Sequence, residues 1–98
     1  MMNEQQFRQL ALERGYGDFQ TKAYVPHNDG PLHTHAFSVM LLVTEGQFAL
    51  AFENDTTNYR PGEVCELDAN VMHTERTGPE GASVLLAKRM SAPSPAAA

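Results

Sequence analysis

A single cysteine, Cys65, is the first constraint that this chain of 98 residues sets on itself. It cannot close an internal disulfide, and no C-x-x-C zinc site can be built from it. Nor does any Lys/Arg cluster break the acidic balance of seven basic against twelve acidic residues, a net charge of −5. A nucleic-acid partner calls for a basic patch, so that class is set aside. Long hydrophobic runs are missing too. The longest strictly apolar one, Val39 to Val43, is far too short for a bilayer-spanning helix, and no membrane contact is expected. The opening MMNEQQ has no basic stretch ahead of an apolar one, so no secretory signal is expected and the expected location is the cytoplasm.

What is present reads as one globular unit. Apolar residues make up 42% and charged residues 19%, enough to bury a single core. The first segment, Asn3 to Arg14, predicts a short helix with Phe7, Leu10 and Ala11 on one face. Asn3 can cap it, with Gln6 three residues on in a capping-box arrangement, and Glu4 can pair with Arg8 one turn later. Gly15 ends it. A helix this short must pack on something.

Beyond Gly17 turn signals recur, among them Asn28-Asp29-Gly30-Pro31, Glu45-Gly46, Pro61-Gly62 and Gly78-Pro79-Glu80-Gly81. Between the turns lie segments of strand character at roughly 20–26, 33–44, 47–53, 57–60, 63–67, 71–77 and 82–90. The expected fold is all-β, an antiparallel barrel or jelly roll with a short N-terminal α-helix. Residues 1–18 should pack as the helical segment on a barrel of residues 19–90. The tail SAPSPAAA, 91–98, has nothing to bury and is expected to be disordered. In the segment 33–44, Phe37, Val39, Leu41 and Val43 alternate onto one face, yet Met40 and Leu42 make the other face apolar as well. A strand apolar on both faces is covered on both, by the N-terminal helix or by a second subunit, and a homodimer is the expected assembly.

His33 and His35 stand at the head of that segment. Two residues apart on a strand, their imidazoles project side by side and can converge on one ion. His73 supplies a third nitrogen from a segment of its own, and three histidines with open positions suit zinc, iron or nickel. His27, ahead of the Gly-Pro turn, reads as a surface residue. The spacing resembles that of a small single-domain cupin, whose first motif is G-x5-H-x-H-x3,4-E-x6-G and whose second is G-x5-P-x-G-x2-H-x3-N. His33, His35 and Gly46 match the first; Gly62 and His73 match the second. The resemblance covers residues 24 to 90 and implies a divalent metal, iron, nickel, manganese or zinc, held by His33, His35 and His73. Val39 and Met40 stand where the family carries its glutamate, and no fourth protein ligand is evident. Asp68, Asn70 and Thr77 replace the proline, glycine and asparagine of the second motif. Asparagine tolerates the positive φ that such a turn requires.

By parity with His73, Glu75 and Thr77 should face inward. Glu75 then has two readings: a catalytic carboxylate, acting as general base or orienting a ligating imidazole, or a partner of Arg60, Arg76 or Arg89 at the rim. Cys65 should point inward with Leu67 as a small hydrophobe. Phe48, Leu50 and Phe52 would join the inward face of the 33–44 segment, favouring a small, partly apolar ligand or substrate. Three function classes follow. The first is a metal-dependent enzyme on a small molecule; three-histidine iron cupins that resemble this pattern include thiol and diketone-cleaving dioxygenases, and other cupins isomerise or dehydrate sugar derivatives. The second is a non-catalytic sensor, since HTHAFSVMLLVTEG also resembles the ligand-binding domains of arabinose-type regulators. The third is a dimeric interaction unit built on Met40 and Leu42.

Overall fold

The computed structural model describes residues 1–90; the tail expected to be disordered, 91–98, lies outside the described residues. The first element is α1, Glu4–Glu13. Its N-terminus closes reciprocally: the Gln6 amide donates to Asn3 Oδ1 at 2.8 Å and the Asn3 amide to Gln6 Oε1 at 2.9 Å. Glu4 and Arg8 pair at 2.9 Å, as their spacing predicts. At the other end Gly15 takes φ +85°, Tyr16 N–H donates to Ala11 O and Gly15 N–H to Leu12 O. That 6→1 and 5→2 pair satisfies two otherwise orphaned carbonyls of the last turn.

Five strands follow: β1 Gly17–Tyr24, β2 Phe37–Ala51, β3 Thr56–Tyr59, β4 Val64–Leu67 and β5 Thr74–Met90. They form one antiparallel sheet in the order β1-β5-β2-β3, with β4 also on β2. One edge of β2 pairs with β5 over its whole length; the other pairs first with β4 and then with β3. The sheet rolls over so that residues from both halves of β2 share one interior, Leu41 and Val43 with Phe48, Leu50, Cys65 and Val84. The class is as expected, all-β with one short helix.

The segmentation differs from expectation, and the reason is physical. Seven segments become five strands because 33–44 merges with 47–53 and 71–77 with 82–90. Glu45-Gly46 and Gly78 to Gly81 read as turns, yet they lie opposite each other, with Gly46 in register with Ala82. Two bends that face each other across a ladder fold a strand pair without ending it. Gly46 and Gly81 carry φ of +77° and +71°. The register slips between Val43 and Glu45 and again between Gly46 and Phe48, so Val43 and Phe48 both face the interior. A methyl group on Gly46 would collide with the Gly81 carbonyl oxygen. Gly46→Ala should therefore cost about 2–5 kcal/mol, the positive φ and the backbone clash together. Urea denaturation against wild type checks this; an unchanged midpoint would mean that the bend does not depend on glycine.

On the outer face Phe7 and Ala11 of α1 sit over Met40, Leu42, Leu85 and Ala87. Met40 is 1% exposed and Leu42 2%. The second apolar face of β2 is thus covered by the chain's own helix, and the reason for expecting a partner subunit there falls away. Tyr16 closes the seam, its hydroxyl donating to Glu66 Oε2 at 2.7 Å, with Arg89 over its ring. Burial and the Glu66 carboxylate push the Tyr16 phenol up to about 12. Cys65 is buried in the interior cluster and burial pushes its thiol up to about 12, so it packs there as a small hydrophobe in the thiol form. Among the described residues no helix is long and apolar enough to cross a membrane.

Candidate metal centre

His33 and His73 lie opposite each other in an isolated antiparallel bridge. Each amide donates to the other's carbonyl, at 2.8 and 2.9 Å, so both side chains leave the same face of the ladder. His35 follows two residues after His33 on that face, and its carbonyl accepts from the Asn70 amide at 2.7 Å. Asn70 has φ +64°, the conformation expected for its place in the second motif. The turn of the second motif is thereby tied to a histidine of the first. The three imidazole centroids are 4.5 to 5.0 Å apart.

The backbone also settles which nitrogens are free. His33 Nδ1 lies 3.0 Å from Pro31 O and His73 Nδ1 2.8 Å from Val71 O. A carbonyl oxygen only accepts, so both Nδ1 atoms carry hydrogen, and in each ring Nε2 is the nitrogen turned to the cluster. His35 is braced differently, stacked on Phe37 at 5.0 Å. Burial, reinforced by His73 and His33, holds the pKa of His35 below its ordinary value. The neutral form that a metal requires is thereby favoured.

Glu75 is the centre of this arrangement. Its carboxylate lies 3.0 Å from His33 Nε2, 3.7 Å from His73 Nε2 and 4.0 Å from His35 Nε2. Ligands about 2 Å from a common ion stand roughly 3–3.5 Å from one another, so the donor set fits a divalent cation with little adjustment. One nitrogen from each histidine and a Glu75 oxygen, the atoms that could hold an ion, all lie within 4.8 Å of one another. Sequence reasoning singled out all four residues but named no fourth ligand; where positions 39 and 40 carry no carboxylate, the structure sets the Glu75 carboxylate of β5 beside the three histidines. The rim pairings considered for Glu75 are not made. Arg76 is bonded to Asp29 at 2.8 Å and Arg89 donates to Arg14 O, while Arg60 has no ion pair among the described residues. Thr77 shares the inward parity, but its hydroxyl donates to Val25 O and accepts from the Asn28 amide, anchoring a loop. His27 is exposed and lies outside the cluster, as expected.

Beneath the cluster a cavity of about 140 Å³ opens into the roll. His35, His73 and Glu75 form one end, and Phe37, Leu41, Phe48, Leu50 and Leu86 form apolar wall. Phe52, expected among them, packs on the core without reaching the cavity. Gln20, Lys22 and Tyr24 of β1 and Lys88 of β5 also line it. Sequence reasoning missed these four. The period-two spacing of Gln20, Lys22 and Tyr24 was the available signal. Burial and the nearby Glu75 charge raise the Tyr24 phenol well above its usual range, so it is a neutral hydrogen-bonding group.

Solved structures share this architecture. A cupin-2 domain protein from Shewanella frigidimarina superimposes with a TM-score of 0.60 at 20% identity, over 70% of this chain and 66% of that one. A cupin superfamily protein from Desulfitobacterium hafniense gives 0.64 at 12% identity, over 74% and 66%. This chain has the cupin fold. A third similar structure, from work on the DMSP lyases RdDddP and RnDddQII, gives 0.67 at 20% identity, over 74% of this chain and 38% of that chain. The chain thus spans 66% of the first two chains and 38% of the third. No protein-family model matches the sequence, and no curated protein does. Its cluster combines three histidines at cupin-motif positions with a glutamate two residues beyond His73.

Proposed function

We propose that this cupin binds one divalent metal ion through His33, His35, His73 and Glu75 and acts as a metal-dependent enzyme, oxygenase-like in character, on a small molecule held in the adjoining cavity. The observation that carries the reading is the convergence of three Nε2 atoms on one carboxylate, with two of the opposite Nδ1 atoms tied to backbone carbonyls. A polar patch kept for solubility has no reason to fix histidine tautomers. The ion, when bound, supplies Lewis acidity and, if it is iron, redox chemistry with dioxygen. The protein supplies the rest. Four protein donors leave about two sites of an octahedral ion open. The half-exposed edges of His33 and His35 leave that side reachable from solvent. The apolar walls exclude water from the ligand's body, and neutral Tyr24 can donate to a polar group on it.

The test is metal content by mass spectrometry on untagged protein, before and after anaerobic reconstitution with iron, nickel, manganese and zinc. About one ion per chain is expected, with substrate-dependent oxygen uptake by the iron form. Failure to retain any of the four metals after reconstitution would sink the reading.

A further inference from the structure

Lys22 and Lys88 reach the cavity from two adjacent strands. Lys22 lies in register with Val84 and follows Gln20 on the inward face of β1; Lys88 lies opposite Val39 and follows Leu86 on the inward face of β5. Neither is paired with a carboxylate among the described residues. Each ammonium sits over an aromatic face instead, Lys22 Nζ 4.8 Å from the Tyr24 ring centroid and Lys88 Nζ 4.8 Å from that of Phe37. Phe37 in turn stacks on His35, so the Lys88 ammonium lies one ring away from the histidine cluster.

Charge decides what such a cavity can hold. Among the described residues Glu75 is its only acidic lining residue, and it is turned to the three histidines. With a divalent ion on the cluster, Glu75 offsets one of the ion's two charges and none of the lysine charge. Lys22 is exposed and Lys88 half-buried, so the two ammonium groups stand at the solvent side of the cavity with the apolar walls beneath them. That end is then net positive and favours an anion over a cation. A neutral apolar molecule would leave both ammonium groups without an anion. The volume sets the scale: about 140 Å³ compares with an engineered cavity of roughly 150 Å³ that accepts benzene.

We infer that the cavity takes a small organic acid, a monocarboxylate whose apolar body is about the size of a benzene ring. Its carboxylate is held by Lys22 and Lys88 and its body lies along Phe48, Leu50 and Leu86. This substrate class rests on the proposed metal-dependent activity for its purpose, but the lysine pair is independent of the metal and can be tested without it.

The probes are benzoate and its neutral isostere benzamide, titrated calorimetrically at low salt into metal-free protein and into the zinc-loaded form. Wild type should bind benzoate at least about tenfold more tightly than benzamide, the worth of one charge-assisted contact. The double variant Lys22→Met, Lys88→Met keeps the apolar stems and should lose that preference. The double variant Lys22→Arg, Lys88→Arg should retain it, with a thermal melt confirming that both are folded. Equal binding of the two probes, no binding of benzoate, or a preference that survives Lys22→Met, Lys88→Met overturns the inference. If iron, nickel, manganese and zinc all fail to bind while metal-free protein still shows the lysine-dependent preference, the metal reading falls and this inference stands.

Discussion

His73→Ala is expected to strip the protein of its metal. After reconstitution and dialysis, mass spectrometry should find about one ion per wild-type chain and only background in the variant. The loss of affinity should exceed the roughly 10–100-fold that follows removal of an outer hydrogen-bond partner. His73 is the most buried member of the cluster, 1% exposed, so no solvent-borne side chain can take its place. The variant should still fold, because the bridge between His73 and His33 is made by backbone amides and carbonyls. Far-ultraviolet circular dichroism checks that point, and His27→Ala, altering an exposed histidine outside the cluster, should keep its metal. Glu75→Gln then separates two roles. As a ligand, Glu75 contributes charge, and its amide analogue should weaken metal binding; as a base alone, the same change should leave metal content intact and remove turnover. Equal metal in wild type and His73→Ala would end the three-histidine reading.

The members of that cluster were legible for one reason and their meeting obscure for another. His33 and His35 share a face because strand side chains alternate, a property that needs no tertiary information. Glu75 follows His73 by two, and parity alone turns it inward. Its approach to His33 depends on the bridge between residues 33 and 73, a contact over forty positions that no local pattern encodes. Looking for a carboxylate only at positions 39 and 40 hid the one that arrives from β5. The lysines were obscure for the same reason, since Lys22 reaches the cavity only through the register of β1 on β5. The glycine bends show the converse error. Each of Glu45-Gly46 and Gly78 to Gly81 is a sound turn signal alone, and only their apposition turns two hairpins into one bent strand pair. By contrast α1 was readable almost atom by atom, because caps, i,i+4 pairs and the closing glycine are interactions within a few residues.

The helix also decides what Leu42→Glu should do. Were the outer face of β2 a dimer contact, that change would leave a folded chain and halve its mass in sedimentation. The structure points elsewhere: Leu42 is 2% exposed beneath α1, against Phe7, Met40 and Leu85. A carboxylate buried there carries a desolvation cost of several kcal/mol, a large share of the 5–15 kcal/mol that holds a domain together. Leu42→Glu should therefore unfold or precipitate the protein, whatever its assembly. Phe7→Ala, acting from the helix side on the same seam, should destabilise by about 3–5 kcal/mol in urea while leaving the histidine cluster on the opposite face of the sheet intact in the folded fraction. The two variants together are decisive. A soluble, fully folded Leu42→Glu monomer, with Phe7→Ala costing nothing, would mean that α1 does not cover this face, and a second copy of the chain would again be needed to do so.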